Sequence, residues 1–331
     1  MERFALAAAV VLGFALTAAL CSLFVPLRRV LERREQQQQP VQSEQPRPAP
    51  LRAPLWGGLC AAAGTVAAVG VGWLAACVGQ PELLGSEGRL MTRLLTALAG
   101  SLAFGAVGLA EDLARMRSPA ALGLRRDVRL LLEALAAAFV LLLLQAAGCL
   151  PRGLDVPGAG YVLLGSAVPF LWAVLMVALA ECARIAERDE GTVCGAAFVA
   201  MLALMMAEAG LGVPGLAVLP AALAGALVAL LLWAFPPARL GAGCCGSLLA
   251  AGAIGCIPLS LDMTSLTVPL ALPFWAAGGL LAAQLLGAKR TGKPLRCWVK
   301  KHKMSPETVF LCSFALSAVG YVLALALLRW C

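Results

Sequence analysis

The stretch GVPGLAVLPAALAGALVALLLWA, residues 212–234, contains no charged side chain. About 20 consecutive apolar residues are enough for an α-helix to cross the hydrocarbon layer of a membrane, and this hydropathy pattern predicts about ten such spans. They are residues 4–26, 55–78, 90–110, 128–148, 160–182, 193–209, 212–234, 246–261, 266–287 and 308–328. The sequence therefore predicts an all-α, polytopic membrane protein with a single integral domain over residues 1–331.

The composition excludes the soluble classes. Of the 331 residues, 61% are hydrophobic and 13% are charged, and the mean hydropathy is +0.88. Because globular proteins carry about 25% charged residues, the polar surface is too small for soluble, disordered, collagen-like or coiled-coil chains. The twelve cysteines include no C-x-x-C pair, and in apolar runs cysteine behaves as a small hydrophobic residue. With only His302 available, no zinc-type ligand set is expected.

The first span and the segment after it have different predicted roles. The apolar run of residues 4–26 is longer than a signal-peptide core of about 7–15 residues, and no A-x-A site follows it. We therefore expect an uncleaved membrane helix. Residues 27–53 include a Gln- and Pro-rich stretch, which predicts a flexible cytoplasmic loop.

The basic residues predict the orientation. All but five of the 26 lysines and arginines lie in the connections that follow the odd-numbered spans; the exceptions are Arg3, Arg89, Arg93, Arg152 and Arg329. Because basic loops remain in the cytoplasm, we expect the odd-numbered connections there and both termini outside. The net charge of +8 is then a property of the cytoplasmic face. Membrane topology and the attraction of basic residues to anionic lipids explain it, so no nucleic-acid partner is expected.

Acidic residues form two groups at the predicted cytoplasmic boundary. They are Glu111, Asp112 and Asp127 in one group and Glu181, Glu187, Asp189 and Glu190 in the other. Oxygen-rich clusters of this kind can hold Mg²⁺ and a phosphate-bearing substrate. The alternative, a solvated charged loop, stays open.

The sequence GAGCCG, residues 241–246, matches G-x-G-x-x-G, but no predicted strand precedes it, so a dinucleotide fold is not indicated. We expect a tight turn that opens the eighth span, with free backbone N–H groups able to receive a phosphate. A helix start beside close-packed small residues is the alternative. His302 lies among lysines and is predicted to be a solvated surface residue.

Five short motifs occur in order along the chain. They are PLWGG at 54–58, GLAEDLAR at 108–115, GLRRDVR at 123–129, the stretch 233–247 and MSPE at 304–307. With these motifs the chain resembles the polyprenyl-phosphate phosphoglycosyl transferases over nearly its whole length. The resemblance implies ten helices, both termini outside, and an active site on the cytoplasmic face of a bacterial membrane. It also implies transfer of a sugar-1-phosphate from a UDP-sugar to undecaprenyl phosphate, with Mg²⁺ as cofactor, and is compatible with a homodimer.

The resemblance also implies site residues. The catalytic positions are Glu111, Asp112, Glu187 and Glu190, of which Asp112, Glu187 and Glu190 would hold the metal. The phosphate-binding positions are Arg115, Arg125, Arg129, Gly243, Gly246 and Ser247.

The departures from the family pattern fall on these chemical positions. Cys244 stands where the resemblance places a metal-binding aspartate, and a thiol is a soft ligand that suits Mg²⁺ poorly. Loss of one strong electrostatic contributor typically costs about 10²–10³ in rate. Two functions therefore stay open: a divergent transferase, or a catalytically inactive relative that binds lipid phosphate or a wall-synthesis partner. A transporter has less support, because mid-bilayer charge is nearly absent.

Overall fold

A computed structural model describes residues 2–38, 56–79, 88–117, 123–151, 153–156, 160–163, 165, 167–187, 191–213, 215–236, 238–286 and 305–328. The helices are α1 (Glu2–Gln38), α2 (Gly57–Gly79), α3 (Gly88–Arg117), α4 (Arg126–Ala146), α5 (Ala167–Ala186), α6 (Thr192–Gly210), α7 (Val218–Ala234), α8 (Gly243–Ser260), α9 (Thr267–Leu270), α10 (Leu272–Leu286) and α11 (Pro306–Leu328). Between α4 and α5 lie the strands β1 (Gly153–Val156) and β2 (Gly160–Leu163), and a 3₁₀ turn (Thr264–Leu266) precedes α9.

The helices are those of a membrane protein. Within the described ranges, seven helices are long and apolar enough to cross a bilayer, namely α1, α2, α3, α5, α6, α8 and α11. The apolar helix α7 is shorter. Each of the predicted spans overlaps a helix, so the prediction of an all-α, polytopic membrane protein is confirmed.

Helix α8 lies at the centre of the bundle. Every residue from Gly243 to Ser260 is buried, and the helix packs against α2, α3, α5 and α6. Its many Gly, Ala and Cys residues explain the close packing, because small side chains allow membrane helices to approach each other. The N-terminus of α8 is therefore enclosed by other helices, and the candidate site lies there.

Helix α1 continues beyond the predicted membrane span. Residues 27–38, expected as part of a flexible loop, are helical to Gln38, while residues 39–53 lie outside the described residues. The reason is local: apart from Val30, this segment consists of Leu, Arg, Glu and Gln, which are strong helix formers, and it contains no Gly or Pro.

The fifth and ninth predicted spans are not continuous helices in the structure. Residues 160–163, expected at the start of the fifth span, form β2, which pairs antiparallel with β1. Short apolar runs do not distinguish a strand from a helix by periodicity. The ninth span is divided into the 3₁₀ turn, α9 and α10. Pro273, in the first turn of α10, has no N–H to continue the preceding helix.

Candidate functional site

The end of α3 meets the start of α8 through a carboxylate. Asp112 is buried; its Oδ1 accepts a hydrogen bond from the backbone N–H of Cys244 at 3.1 Å, and its Oδ2 accepts one from Cys245 at 2.9 Å. The first N–H groups of a helix have no partner within the helix, and a negative charge is favoured beside them. Asp112 therefore caps α8 from a distant part of the chain.

Two glycines make this contact sterically feasible. A Cβ on Gly108, one turn before Asp112, would collide with the backbone carbonyl of Cys244. A Cβ on Gly58, at the start of α2, would lie 2.7 Å from the Cα of Gly246. The motifs at 54–58, 108–115 and 233–247 thus contact one another at glycine positions, where the absence of a side chain allows the backbones to approach.

Ion pairs extend the site from α3 to α4 and α5. Arg115 Nη2 lies 2.6 Å from Glu111 Oε1. Arg129 Nε lies 2.7 Å from Glu181 Oε1, and Arg184 Nη2 lies 2.7 Å from Glu181 Oε2. We call these residues, together with Asp112 and Glu133, the charge cluster.

Arg129 occupies the middle of the charge cluster. Besides its bond to Glu181, its guanidinium lies 3.7 Å from Glu111 Oε1 and 3.9 Å from Glu133 Oε1. Glu133 is fully buried, and neither of its oxygens has a hydrogen-bond partner among the described residues. A buried carboxylate without hydrogen bonds is unfavourable unless a cation is close, so Arg129 is the group that compensates Glu133.

Several predicted site residues lie in or beside the charge cluster. Glu111, Asp112, Arg115 and Arg129 belong to it. Glu187, directly after α5, is close enough to Arg115 for an electrostatic interaction. Glu190, like Asp189 and His302, lies outside the described residues.

The predicted phosphate pocket at the start of α8 has a different arrangement from the one expected. The N–H groups of Cys244 and Cys245, expected to be free, donate to Asp112, and the Gly246 N–H donates to Ala242 O. The buried Ser247 hydroxyl donates to the carbonyl of Cys244 in its own helix. A carboxylate of the chain thus fills the position expected for a phosphate, because a helix N-terminus attracts either anion.

Gly243 and Arg125 lie at the edge of this region. Gly243 begins α8 with a φ of +69°. Arg125 is exposed, and its side chain forms no ion pair with any residue that the structure describes. Its backbone carbonyl accepts a hydrogen bond from the N–H of Arg129 in the first turn of α4.

Two members of the charge cluster, Glu133 and Arg184, were not predicted as site residues, and Glu181 was predicted only as a member of an acidic group, with no individual role. A signal for them was present in the sequence. Arg129 and Glu133 are four residues apart and Glu181 and Arg184 three apart, in otherwise apolar segments. Side chains at these spacings lie on one helix face, and charges retained in a membrane helix usually have a function.

The charge cluster does not fit a magnesium ion. Among the described residues, no group of three His, Cys, Asp or Glu side chains converges in a way that could hold a metal. Both oxygens of Asp112 accept backbone hydrogen bonds, and both oxygens of Glu181 accept hydrogen bonds from arginines. Mg²⁺ requires near-octahedral oxygen coordination, which this donor set does not provide.

The fold and the site together define a class: a multi-pass membrane protein with a buried site of arginines and carboxylates at one end of its helical bundle. The sequence profile of glycosyl transferase family 4 matches residues 94–262. This range is slightly more than half of the chain, and all residues of the charge cluster lie within it. The chain belongs to this family.

Individual relatives agree with this assignment. The phospho-N-acetylmuramoyl-pentapeptide-transferase of Mycobacterium bovis is 28% identical over 265 residues, which cover 72% of each chain. The protein of the same name from Synechococcus is 30% identical over 212 residues, 63% of this chain and 55% of the relative. That of Desulforudis audaxviator is 32% identical over 170 residues, 48% of this chain and 50% of the relative. The resemblance inferred from the motifs is therefore confirmed at the level of the family.

Proposed function

We propose that this protein is a divergent phosphoglycosyl transferase that binds a polyprenyl phosphate at the charge cluster and transfers to it a sugar-1-phosphate from a UDP-sugar. The process served would be cell-wall or surface-glycan synthesis. The observation that carries the proposal is the meeting of Asp112 in α3 with the N-terminus of α8, because it unites motif residues 132 positions apart within the family-matched region.

The proposal includes an orientation. Ten membrane crossings with both termini outside would place the charge cluster at the cytoplasmic face of a bacterial membrane. The distribution of lysine and arginine supports this orientation, and the cluster arginines lie towards helix ends rather than in the middle of the spans. A nucleotide sugar made in the cytoplasm would then reach the site directly. The proposal also includes a homodimer, as the resemblance allows.

In the proposed reaction, an oxygen of the lipid phosphate attacks the β-phosphorus of the UDP-sugar. A new P–O bond forms to the lipid, the bond between the β-phosphorus and the bridging oxygen breaks, and UMP leaves with that oxygen. The attacking phosphate is already anionic at neutral pH, so the step needs charge neutralisation more than a base.

The cluster arginines are suited to this role. Arg115 is the most accessible of them, with 23% of its side chain exposed, and its guanidinium can donate to two phosphate oxygens at once. Arg129 and the exposed Arg125 would add positive charge along the same edge. Glu187, directly after α5, and Glu190, three residues further along the sequence, would accept hydrogen bonds from the nucleotide sugar.

The test is UMP release by the purified protein in nanodiscs. Undecaprenyl phosphate is supplied with UDP-N-acetylmuramoyl-pentapeptide or a UDP-N-acetylhexosamine, in Mg²⁺, Mn²⁺ or EDTA. We expect UMP from one donor, and a loss of at least about tenfold in Arg115→Gln because a phosphate-neutralising charge is removed. Arg126→Gln removes an equal charge from an exposed position and should leave the rate unchanged. Absence of UMP with every donor and ion would refute transferase activity.

A second candidate function is a catalytically inactive relative that retains lipid-phosphate binding. The observation that favours it is Cys244, whose buried thiol stands at the position of a metal-binding aspartate. Saturable binding of undecaprenyl phosphate without UMP release from any donor would support this function. Turnover would exclude it.

A further inference from the structure

Within the charge cluster, an arginine side chain lies between carboxylates of neighbouring helices. The Arg129 guanidinium lies within 4 Å of carboxylates from three different helices, Glu111 of α3, Glu133 of α4 and Glu181 of α5. A divalent ion in an acidic site has the same task, since it bridges carboxylates that would otherwise repel one another. Arg129 therefore occupies the position of a bridging cation.

A second arginine completes this arrangement. Glu181 is held between Arg129 and Arg184, each at 2.7 Å. Its two oxygens are thus occupied by separate guanidinium groups. A guanidinium keeps its charge at all physiological pH values and offers five fixed donors, so it can neutralise a carboxylate pair permanently, whereas a metal ion exchanges with the solvent.

Asp112 and one oxygen of Glu111 are occupied as well, whereas Glu111 Oε2 and both oxygens of Glu133 have no hydrogen-bond partner among the described residues. Glu111 Oε1 lies 2.6 Å from Arg115, and Asp112 gives both oxygens to the backbone of α8. Cys244 has a thiol at the position where the resemblance implies a metal-binding aspartate. The thiol is a poor ligand for Mg²⁺, and the three arginines among these carboxylates supply positive charge, so both features weaken the attraction of the site for a metal ion.

We infer that Arg129, assisted by Arg184, replaces the divalent cation in this chain, so that the charge cluster forms and binds phosphate without Mg²⁺. The inference has two parts. The part that concerns phosphate rests on the proposed function, whereas the part that concerns the metal can be tested without it.

The first experiment is a Mn²⁺ titration of the purified protein, followed by electron paramagnetic resonance of free Mn²⁺. We expect no binding tighter than about 1 mM and the same unfolding temperature in EDTA and in MgCl₂. One equivalent of Mn²⁺ bound at micromolar concentration in the wild type, and lost in Glu111→Gln, would overturn the inference.

The second experiment removes the internal cation. Arg129→Gln leaves three carboxylates without their shared partner, so Mn²⁺ should now bind at least about tenfold more tightly than to the wild type and should raise the unfolding temperature. Arg126→Gln, an equal loss of charge at an exposed position of the same helix, should gain nothing. No gain in Arg129→Gln would overturn the inference. If this variant does not fold, Arg184→Gln provides the comparison: it removes the second arginine at Glu181 and should also tighten Mn²⁺ binding, and no gain in it would overturn the inference.

The third experiment separates this inference from the proposed function. Undecaprenyl phosphate is titrated into the nanodisc-bound protein in EDTA and in MgCl₂. Equal affinity in both buffers supports the inference, and binding that disappears in EDTA overturns it. Absence of lipid-phosphate binding in both buffers refutes the proposed function, while the Mn²⁺ titrations still decide whether Arg129 has replaced the metal.

Discussion

At the α3–α8 junction, two backbones approach each other because Gly108 has no side chain, and Asp112 completes the contact with two hydrogen bonds to backbone N–H groups. At the α4–α5 junction, the decisive contact is made by long side chains, with Arg129 bound to Glu181 at 2.7 Å. The first junction depends on shape and on the direction of backbone groups. The second depends on the balance of charge.

The two junctions also differ in how they tolerate substitution. The glycines of the resemblance lie at the α3–α8 junction, where an added methyl group would meet backbone atoms. Cys244, the departure from the family pattern, lies at the same junction but contacts Asp112 through its backbone N–H, whereas the α4–α5 junction is held by the side chains of Glu181, Arg129 and Arg184. Charged side chains can be exchanged as sets if their sum is kept, whereas a backbone contact allows no such compensation.

The largest expected effect is at the α4–α5 junction. Arg129→Gln removes the cation within 4 Å of the buried Glu133 and the partner that Glu111 and Glu181 share, and it should lower the free energy of unfolding by about 3–5 kcal/mol. The double variant Arg129→Gln/Glu181→Gln should recover at least about 1 kcal/mol of this loss, because the two residues are coupled. Thermal unfolding in one detergent at matched concentration gives both values. Additive losses would show that the pair does not act as a unit.

The cap at the α3–α8 junction should have the next largest effect. Asp112→Ala leaves two buried N–H groups of α8 without an acceptor and should cost about 3 kcal/mol. Asp112→Asn keeps an acceptor without the charge and should lose less. The same unfolding assay measures both, and equal stability of Asp112→Ala and the wild type would contradict the capping role.

A steric variant tests the shape of the same junction. Gly108→Ala places a Cβ against the Cys244 carbonyl and should cost about 2 kcal/mol. The matched control is Gly70→Ala in α2, whose added Cβ would meet nothing within 4 Å; it should be neutral or slightly stabilising. Equal unfolding temperatures for the two variants would show that the close approach is not required.

The smallest effect is expected at Ser247. Its hydroxyl donates to Cys244 O in its own helix and is buried. Ser247→Ala should therefore cost about 1 kcal/mol in stability, and it should change lipid-phosphate affinity by less than a factor of about two. A tenfold loss of affinity would instead support the phosphate-binding role that the resemblance implies for this residue.

Parts of the site were predictable for a physical reason. Glu111, Asp112 and Arg115 occupy one motif on one helix, and residues three or four positions apart on a helix lie on one face. Their proximity is a local property. The partners of Asp112 and Arg129 were not predictable, because they lie 132 and 52 residues away, and the cluster contains several arginines and carboxylates that could pair in different ways.

The amino-acid sequence alone is enough to establish that the chain crosses a membrane with apolar helices and belongs to a family of glycosyl transferases. Both properties depend on local features of the sequence, since apolar runs and motif order can be recognised without knowledge of any contact. The three-dimensional contacts were needed to show that Asp112 caps α8, that residues 160–163 form a strand, and that Arg129 stands among three carboxylates. Those outcomes depend on which elements meet and at what depth, because hydrogen bonds form only between groups about 3 Å apart and close ion pairs only within about 4 Å.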